Sequence, residues 1–572
     1  MYDAVKPAEK ENNVIFDLVI DAGNKEYVRV FDKNGKEIPS QVNYIKDGKM
    51  SISVADYIPA LGFKVLDVVE SDTPCKINTG LRCSGRSIEN FKYIVTVNSD
   101  GDISSIIDKT LDDTELLKKP IRFELNKYKG AGEYAAWELR YKEVCKYPWE
   151  FAGKGKCSLI EKGPVRVTLK VVQKVNNSTF TYYVSLVAGC PYVTVRNEIE
   201  WREFRRTLHN GFYFNAGNKK ATFDLGLGAI KREKANKKLY EVPAQKWADI
   251  TDKNGDFGVS VISECKYGWD KFDDNTLRLT LMHTPLKNYK VDSMQSMMDL
   301  GLNRYSYAIF SHMGTVAHDT QTEARNFVMP MASFIVSKHE GEYSEYSFGS
   351  LSGNAILRAV KKAENSDEII IRIGESEKKV QKDVTFSLNT EILSAREIFA
   401  SEEHISEVPL TEGKLVFDLK PYEIKSFALT VKKAVAKAET KFNIDILSNI
   451  TAFSTNAKPT GKLPVINKSI PKEIAPQVVS SAGVDFPIPE KAMLCCGQSL
   501  LLPTGTKKVH LLIASLNGDK YAKINDYAYK INDITENYAG WDLYDFKEVA
   551  FTKDGKLGYE FTHSHTSNGD AQ

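Results

Sequence analysis

The chain has 572 residues, 42% apolar and 27% charged, which excludes fibrous and disordered classes; its length calls for about three or four domains. Lys plus Arg (77) nearly equals Asp plus Glu (75), so no global field recruits nucleic acid or an anionic membrane, and a neutral polar substrate suits the surface. No apolar run reaches the roughly 18 residues a membrane span needs, and the charged opening MYDAVKPAEKENNV lacks a signal peptide's apolar core, so the expected location is cytoplasmic.

Tight-turn chemistry punctuates the chain: D-K-N-G at 32–35, K-D-G at 46–48, S-D-G at 99–101, D-K-N-G at 252–255 and K-D-G at 553–555. Asn-Gly and Asp-Gly supply the positive φ angles of hairpins. The intervening segments are β-branched and aromatic: YVRVF, YIVTV, VRVTLKVV, YVTVRNEIEW, LRLTL and EIIIRI. They predict strands, with few stretches of sustained 3.6-residue period. The clearest helical candidate is VKKAVAKAETKF at 431–442, charged and Ala-rich like a connector. The expected fold is therefore all-β, several stacked antiparallel β-sandwich domains. Composition divides it into a small β domain (1–65), a large strand-rich block (66–345), a small β-sandwich (346–432), and a connector plus C-terminal β domain (433–572).

Little in the sequence announces chemistry. The eight cysteines lack C-x-x-C spacing, and adjacent Cys495 and Cys496 sit in the apolar run AMLCCGQSLLLP, where burial is expected. Asn176, Asn177, Asn449 and Asn467 begin glycosylation triplets, which are chance matches if the chain is cytoplasmic as expected. The carboxylates Asp249, Asp252 and Asp256 gather around Trp247 in VPAQKWADITDKNGDFGV. Set on the calcium-loop spacing with Gly255 as the invariant glycine, Asp252 and Asn254 fall on ligand positions, but Ile250 and Val261 occupy the first and last. A hairpin explains D-K-N-G without a metal. None of the nine histidines begins a zinc-enzyme motif, and the H-x-H of His563 and His565 has no third ligand in sequence. No G-x-S-x-G elbow, P-loop or dinucleotide fingerprint occurs.

The run LYEVPAQKWADITDKNGDFGVSVISECKYGWD resembles the E-V-P-A-x-x-W-A-D-L-S region of family 38 α-mannosidases, and DDNTLRLTLMHTP resembles the L-x-L-x-L-L-x-x-P strand that follows it there. IPALGFKVLDV, GDISSIIDK, VTVRNEIEWREF, MMDLGLNRYSYAIFSHMG, SFGSLSGNAILRAVKKAENSDEIIIRIGE and LKPYEIKSFAL agree in the same order, and CCGQSLLLP and FTHSH resemble the end of the longer, cytosolic-type members. The resemblance covers nearly the whole chain.

It implies a galactose-mutarotase-like supersandwich as the largest domain. It also implies the C-terminal portion of a zinc-dependent retaining enzyme hydrolysing terminal α-mannosides, with an α-mannoside or oligosaccharide as partner and a homo-oligomeric assembly. Family members carry the zinc ligands and the Asp nucleophile on an α/β barrel and a three-helix bundle, and nothing here resembles either. Zinc is thus expected outside this chain, no catalytic residue or metal ligand carries over, and the chain alone is expected to be inactive. Where many relatives read Y-D-A-W-D-I-D, this chain has Tyr134, Ala135, Ala136, Trp137, Glu138, Leu139 and Arg140; where one branch has an Asp followed by two Arg, Asp299 is followed by Leu300 and Gly301. The substrate-facing candidates are Trp137, Glu138, Asp299, Asn303 and Arg304, whose other reading is an ordinary solvated strand edge. Two alternatives stay open. One is a stand-alone carbohydrate-binding module with Trp137, Trp149, Trp269 or Trp541 as sugar platforms. The other is an enzyme that carries His, Tyr or Glu on the concave face of a large sandwich, as lyases and mutarotases do.

Overall fold

A computed structural model describes residues 14–128, 138–148, 150–285, 299–316, 318–329, 331–336, 341 and 343–432, and shorter stretches between 450 and 571. The chain divides into two compact units, Met1–Ala434 and Val435–Gln572.

The first unit is built from antiparallel sheets, as the alternation predicts. Its N-terminal part pairs Val14–Asp21, Lys49–Asp56 and Ser40–Lys46 in one sheet and Glu37–Ile38, Tyr27–Phe31 and Asp67–Ser71 in another. Val28, Val30, Ile38, Met50, Ile52 and Val54 close the core between them. The K-D-G turn behaves as read: Asp47 (φ 51°) and Gly48 (φ 70°) both take the left-handed conformation that a two-residue hairpin between Ser40–Lys46 and Lys49–Asp56 requires.

Two large sheets follow. An 11-stranded sheet runs through Val242–Pro243, Gly268–Asp273, Thr276–Thr284, Arg206–Phe214, Leu117–Lys127, Ile103–Asp108 and Tyr93–Val97. A nine-stranded sheet contains Arg166–Val175, Ser178–Val187, Val193–Trp201, Gly301–Met313, Phe257–Ser263 and Trp247–Thr251. Their inner faces meet through aromatic pairs: Phe123 with Phe180 (4.9 Å) and Tyr182 (5.8 Å), and Phe212 with Tyr307 (5.1 Å). This is the supersandwich that was expected. A small sandwich of four and five strands comes next, with Leu357, Ile371, Phe386, Phe427 and Leu429 in its core.

Neither described helix, Tyr141–Val144 nor His318–Val328, is signalled by the sequence. His318–Val328 is too polar to show a wide apolar stripe; it reaches the core through Ala324, which packs with Trp247, Ile262, Ala308 and Phe310. The helical candidate at 431–442 lies outside the described residues except for Val431, which ends the Ile424–Val431 strand, and Lys432. The second unit shows short antiparallel pairs, Val478–Ser481 with Val484–Pro487 and Lys520–Ile524 with Tyr527–Ile531, and a parallel pair of Phe453–Ser454 with Ile470–Pro471. Cys495, Cys496, His563 and the K-D-G turn at 553–555 fall outside the described residues. Among those described, no helix is long and apolar enough to cross a membrane.

Candidate functional site

The outer face of the 11-stranded sheet carries a polar grid that follows from strand register. Directly opposed residues share a face, and so do residues two apart on one strand. Asn126 is opposite Thr207, which is opposite His283; one step along, Glu124 is opposite His209, which is opposite Thr280; next, Gly211 is opposite Arg278, which is opposite Asp270. Phe123, Leu208 and Phe212 alternate with these and fill the inner core. The grid is buried all the same, because the chain crosses it: Val144 and Lys146, in and just after the short helix Tyr141–Val144, turn their carbonyls onto Arg278 (3.0 and 3.3 Å).

Arg278 is the fixed charge of this face. Its Nε donates to Asp270 Oδ1 and Oδ2 (2.9 and 3.1 Å), its Nη2 donates to Asp270 Oδ2, and its Nη1 reaches Glu124 Oε2 at 3.4 Å. Burial alone would discharge a guanidinium, but Asp270 and Glu124 outweigh it and raise its pKa. Tyr213 donates its hydroxyl to Glu124, and burial, with that carboxylate, holds the phenol protonated. His209 Nε2 lies 3.2 Å from Glu241 Oε1, while Thr280 Oγ1 donates to Glu241 Oε2 at 2.8 Å. Burial pushes the Glu241 carboxyl up; His209 and Thr280 outweigh that, leaving it below its ordinary value. His283 goes the other way: burial lowers it to about 4, so its imidazole is neutral at pH 7.

His209, Glu241 and Asp270 each offer a ligand atom, all within 4.8 Å of one another, so a metal has to be considered. The donor set does not fit one. Arg278 takes both Asp270 oxygens, His209 and Thr280 take those of Glu241, and a cation would sit beside a guanidinium. The face is held together by hydrogen bonds and ion pairs among its own side chains.

The sequence candidates lie at one margin of it. Tyr128 donates its hydroxyl to the Glu138 carbonyl and packs edge-to-face on His283 at 4.5 Å. The His283 amide donates to Asp299 Oδ2 at 2.6 Å, and Asn303 Nδ2 donates to the Asp299 carbonyl at 2.9 Å. Desolvation raises the Asp299 carboxyl despite its open edge, with the His283 amide opposing. The structure thus joins Asn303 to Asp299, and sets the Glu138 backbone on Tyr128, which packs against His283. Arg304 follows Asn303 and leaves its strand from the other face, opposite Glu198. Trp137, Trp149 and Trp541 lie outside the described residues. Trp269 does not serve as a sugar platform: it is fully buried, packed by Phe212.

The Asp249 cluster of the W-A-D motif is structural. Asp249 is buried, taking hydrogen bonds from Thr251 Oγ1 (2.8 Å) and Ser260 Oγ (2.9 Å), with His312 Nε2 2.9 Å away. Asp252 spends its carboxylate on its own hairpin, accepting the amides of Asn254 (3.1 Å) and Asp256 (2.7 Å), and Gly255 has φ 81°. The D-K-N-G turn is a hairpin, as the failed calcium spacing indicates. The residues of this face are spread over RFELNK, RTLHNGFYF and TLRLTLMHT, each alternating polar with apolar as any half-solvated strand does, so the sequence gives no signal of it.

Comparison with known proteins follows the same lines. The model of the glycosyl hydrolases family 38 C-terminal domain matches residues 88–290, and that of the family 38 C-terminal beta sandwich domain matches residues 354–427. An AziU2-like beta-sandwich domain model matches residues 439–572, the region holding CCGQSLLLP and FTHSH. α-Mannosidase G of Dictyostelium discoideum is 23% identical over 457 residues, 73% of this chain and 41% of that protein. α-Mannosidase 2C1 of Mus musculus is 23% identical over 266 residues, 45% of this chain and 25% of that one. A solved α-mannosidase from Enterococcus faecalis V583 shares the fold at a TM-score of 0.59 and 14% identity, covering 75% of this chain and 55% of that one.

Proposed function

Residues 88–290 and 354–427 carry the C-terminal domains of glycosyl hydrolase family 38, and from that premise we propose that the chain is the sandwich portion of a retaining α-mannosidase acting on terminal α-mannosides. The chain spans a quarter to two fifths of the length of the curated relatives it matches. In this reading, zinc and the Asp nucleophile that forms the covalent glycosyl intermediate belong to a part of the enzyme outside these residues. The sandwich buttresses that part and lines one side of the substrate site with Glu138, Asp299 and Asn303, joined by Trp137, while Arg304, on the opposite face of its strand, stands apart from them. The observation that carries the reading is the ordered pair of family 38 matches, the first of which includes the strands bearing the polar face and His283, whose amide is tied to Asp299. The balance of 77 basic and 75 acidic side chains supports a neutral glycan partner over nucleic acid or membrane. The expectations of a cytoplasmic, oligomeric enzyme belong to the same proposal.

The test is turnover of p-nitrophenyl α-mannoside by the purified chain in the presence of zinc, alone and mixed with the N-terminal portion of a family 38 α-mannosidase. The expected result is no hydrolysis alone. Zinc-dependent hydrolysis by the chain itself, free of host enzyme, would overturn the proposal.

A further inference from the structure

The two D-K-N-G turns build hairpins, but an Asn-Gly pair also has a chemistry of its own. Glycine has no side chain to shield its amide nitrogen from the asparagine amide that precedes it. Among the described residues such pairs are Asn34-Gly35, Asn210-Gly211 and Asn254-Gly255. Asn210-Gly211 lies inside the Arg206–Phe214 strand, where Gly211 is paired with Arg122 on one side and Arg278 on the other and Asn210 is buried. The other two close turns of nearly the same geometry. In each, an aspartate carboxylate accepts the Asn amide, Asp32 from Asn34 at 2.8 Å and Asp252 from Asn254 at 3.1 Å. The carbonyl of the same aspartate accepts the glycine amide, at 3.0 and 3.2 Å, and the glycines are left-handed, with φ 75° and 81°.

The twin turns differ where reactivity is decided. Asn34 and Gly35 are exposed, and the Asn34 side chain has no hydrogen-bond partner among the described residues. Beyond the adjacent residues, no atom lies within 4 Å of the point where a Cβ on Gly35 would stand. In the second turn Asn254 Nδ2 donates to Asp256 Oδ2 at 3.2 Å, and Thr315 Cγ2 is 3.6 Å from the corresponding point on half-buried Gly255. The charges differ as well: Lys36 follows the first pair and Asp256 follows the second. For the glycine nitrogen to attack the asparagine amide it must lose its proton and become negative. A neighbouring ammonium favours that state and a neighbouring carboxylate opposes it.

We propose that Asn34 is a site of self-catalysed deamidation and isoaspartate formation in the folded chain, and that Asp256 protects Asn254 in the twin turn. The Gly35 nitrogen bonds to Asn34 Cγ, the Cγ–Nδ2 bond breaks, and Nδ2 leaves as ammonia, carrying the proton that the glycine amide gives up. The five-membered imide so formed takes up water. Opening at Cγ yields aspartate at position 34, and opening at the main-chain carbonyl yields isoaspartate. Either product adds a negative charge, and isoaspartate also lengthens the main chain by one carbon between the strands Tyr27–Phe31 and Glu37–Ile38. The bond from the Gly35 amide to the Asp32 carbonyl must open first, which an exposed turn tip allows. The proposal depends on nothing in the mannosidase reading.

The test is incubation of the purified full chain for several weeks at about 37 °C and about pH 8, with chymotryptic peptides read by mass spectrometry for a gain of about 1 Da and isoaspartate counted by enzymatic methylation. Asn34 should convert at least about tenfold faster than Asn254, and Asn210 should convert only once urea has unfolded its strand. Lys36→Asp should slow Asn34 and Asp256→Lys should speed Asn254, each at least about threefold. Both side chains are exposed, so neither variant threatens the fold. Conversion of Asn254 as fast as Asn34 in the folded chain would overturn the proposal. So would an Asn34 that stays intact while the urea-unfolded chain converts, or charge variants that leave both rates unchanged.

Discussion

Asp249→Ala removes a carboxylate that is wholly buried and three times bonded, by Thr251, Ser260 and His312. The Ser260 hydroxyl is left buried without its main partner, which costs about 1–3 kcal/mol. His312, also buried, loses the counter-charge at 2.9 Å; breaking a buried pair from one side costs about 3–5 kcal/mol. The two overlap, so the expected loss is about 3–5 kcal/mol in all. Its pH dependence has a definite sign. Burial alone would lower the His312 pKa, but Asp249 outweighs burial and raises it above the ordinary value. A raised folded-state pKa stabilises fully below the unfolded value of about 6.5 and progressively less as pH rises through the folded one. The variant should therefore lose more stability at about pH 6 than at about pH 9. Urea denaturation followed by tryptophan fluorescence reads the effect, since Trp247 lies two residues away; the transition of the large sandwich should be analysed separately, because a chain of several domains need not unfold in one step. A loss below about 1 kcal/mol, or a loss larger at alkaline pH, would refute the reasoning.

Gly258→Ala should strike the same pair from the other side: a Cβ there would lie 2.5 Å from His312 Cε1, so overpacking of about 1–3 kcal/mol is expected, and the loss should be less than additive with Asp249→Ala in a double-mutant cycle. Arg278→Lys keeps the charge but loses the fork that holds Asp270 and the carbonyls of Val144 and Lys146, so a destabilisation of about 3–5 kcal/mol is expected. Faster proteolysis within 138–148 should accompany it, and an unchanged cleavage rate would count against this strap being held by Arg278. Burial, with Asp270 and Glu241 adding, pushes the Cys145 thiol up to about 12. Iodoacetamide should therefore label it at least about tenfold more slowly in the native chain than in urea at about pH 8; equal rates would show that the thiol is exposed.

Much of the fold was legible because turns and strands are local. Asp47 and Gly48 announce a hairpin by residue type alone, and YVRVF and YIVTV form the strands their β-branched residues predict. The helix His318–Val328 was not legible because its hold on the core is tertiary, through Ala324 and its neighbours. The polar face was hidden for a related reason. Arg278, His209 and Glu124 lie 154 residues apart at the extremes and read singly as solvent-facing alternation; only the sheet register sets them side by side, and only the strap carrying Val144 and Lys146 buries them. The W-A-D carboxylate drew attention by its composition, yet its bonds to Ser260, Thr251 and His312 make it part of the frame.

We propose that this chain recognises substrate without breaking the glycosidic bond, and steady-state kinetics of the assembled enzyme separate the two roles. Asp299→Asn and Asn303→Ala, introduced into a zinc-loaded enzyme that contains this chain and its catalytic portion, should raise KM for an α-mannoside by about tenfold with kcat within about threefold of the parent. A kcat reduced by about a thousandfold at unchanged KM would place a reacting group on the sandwich and contradict the account.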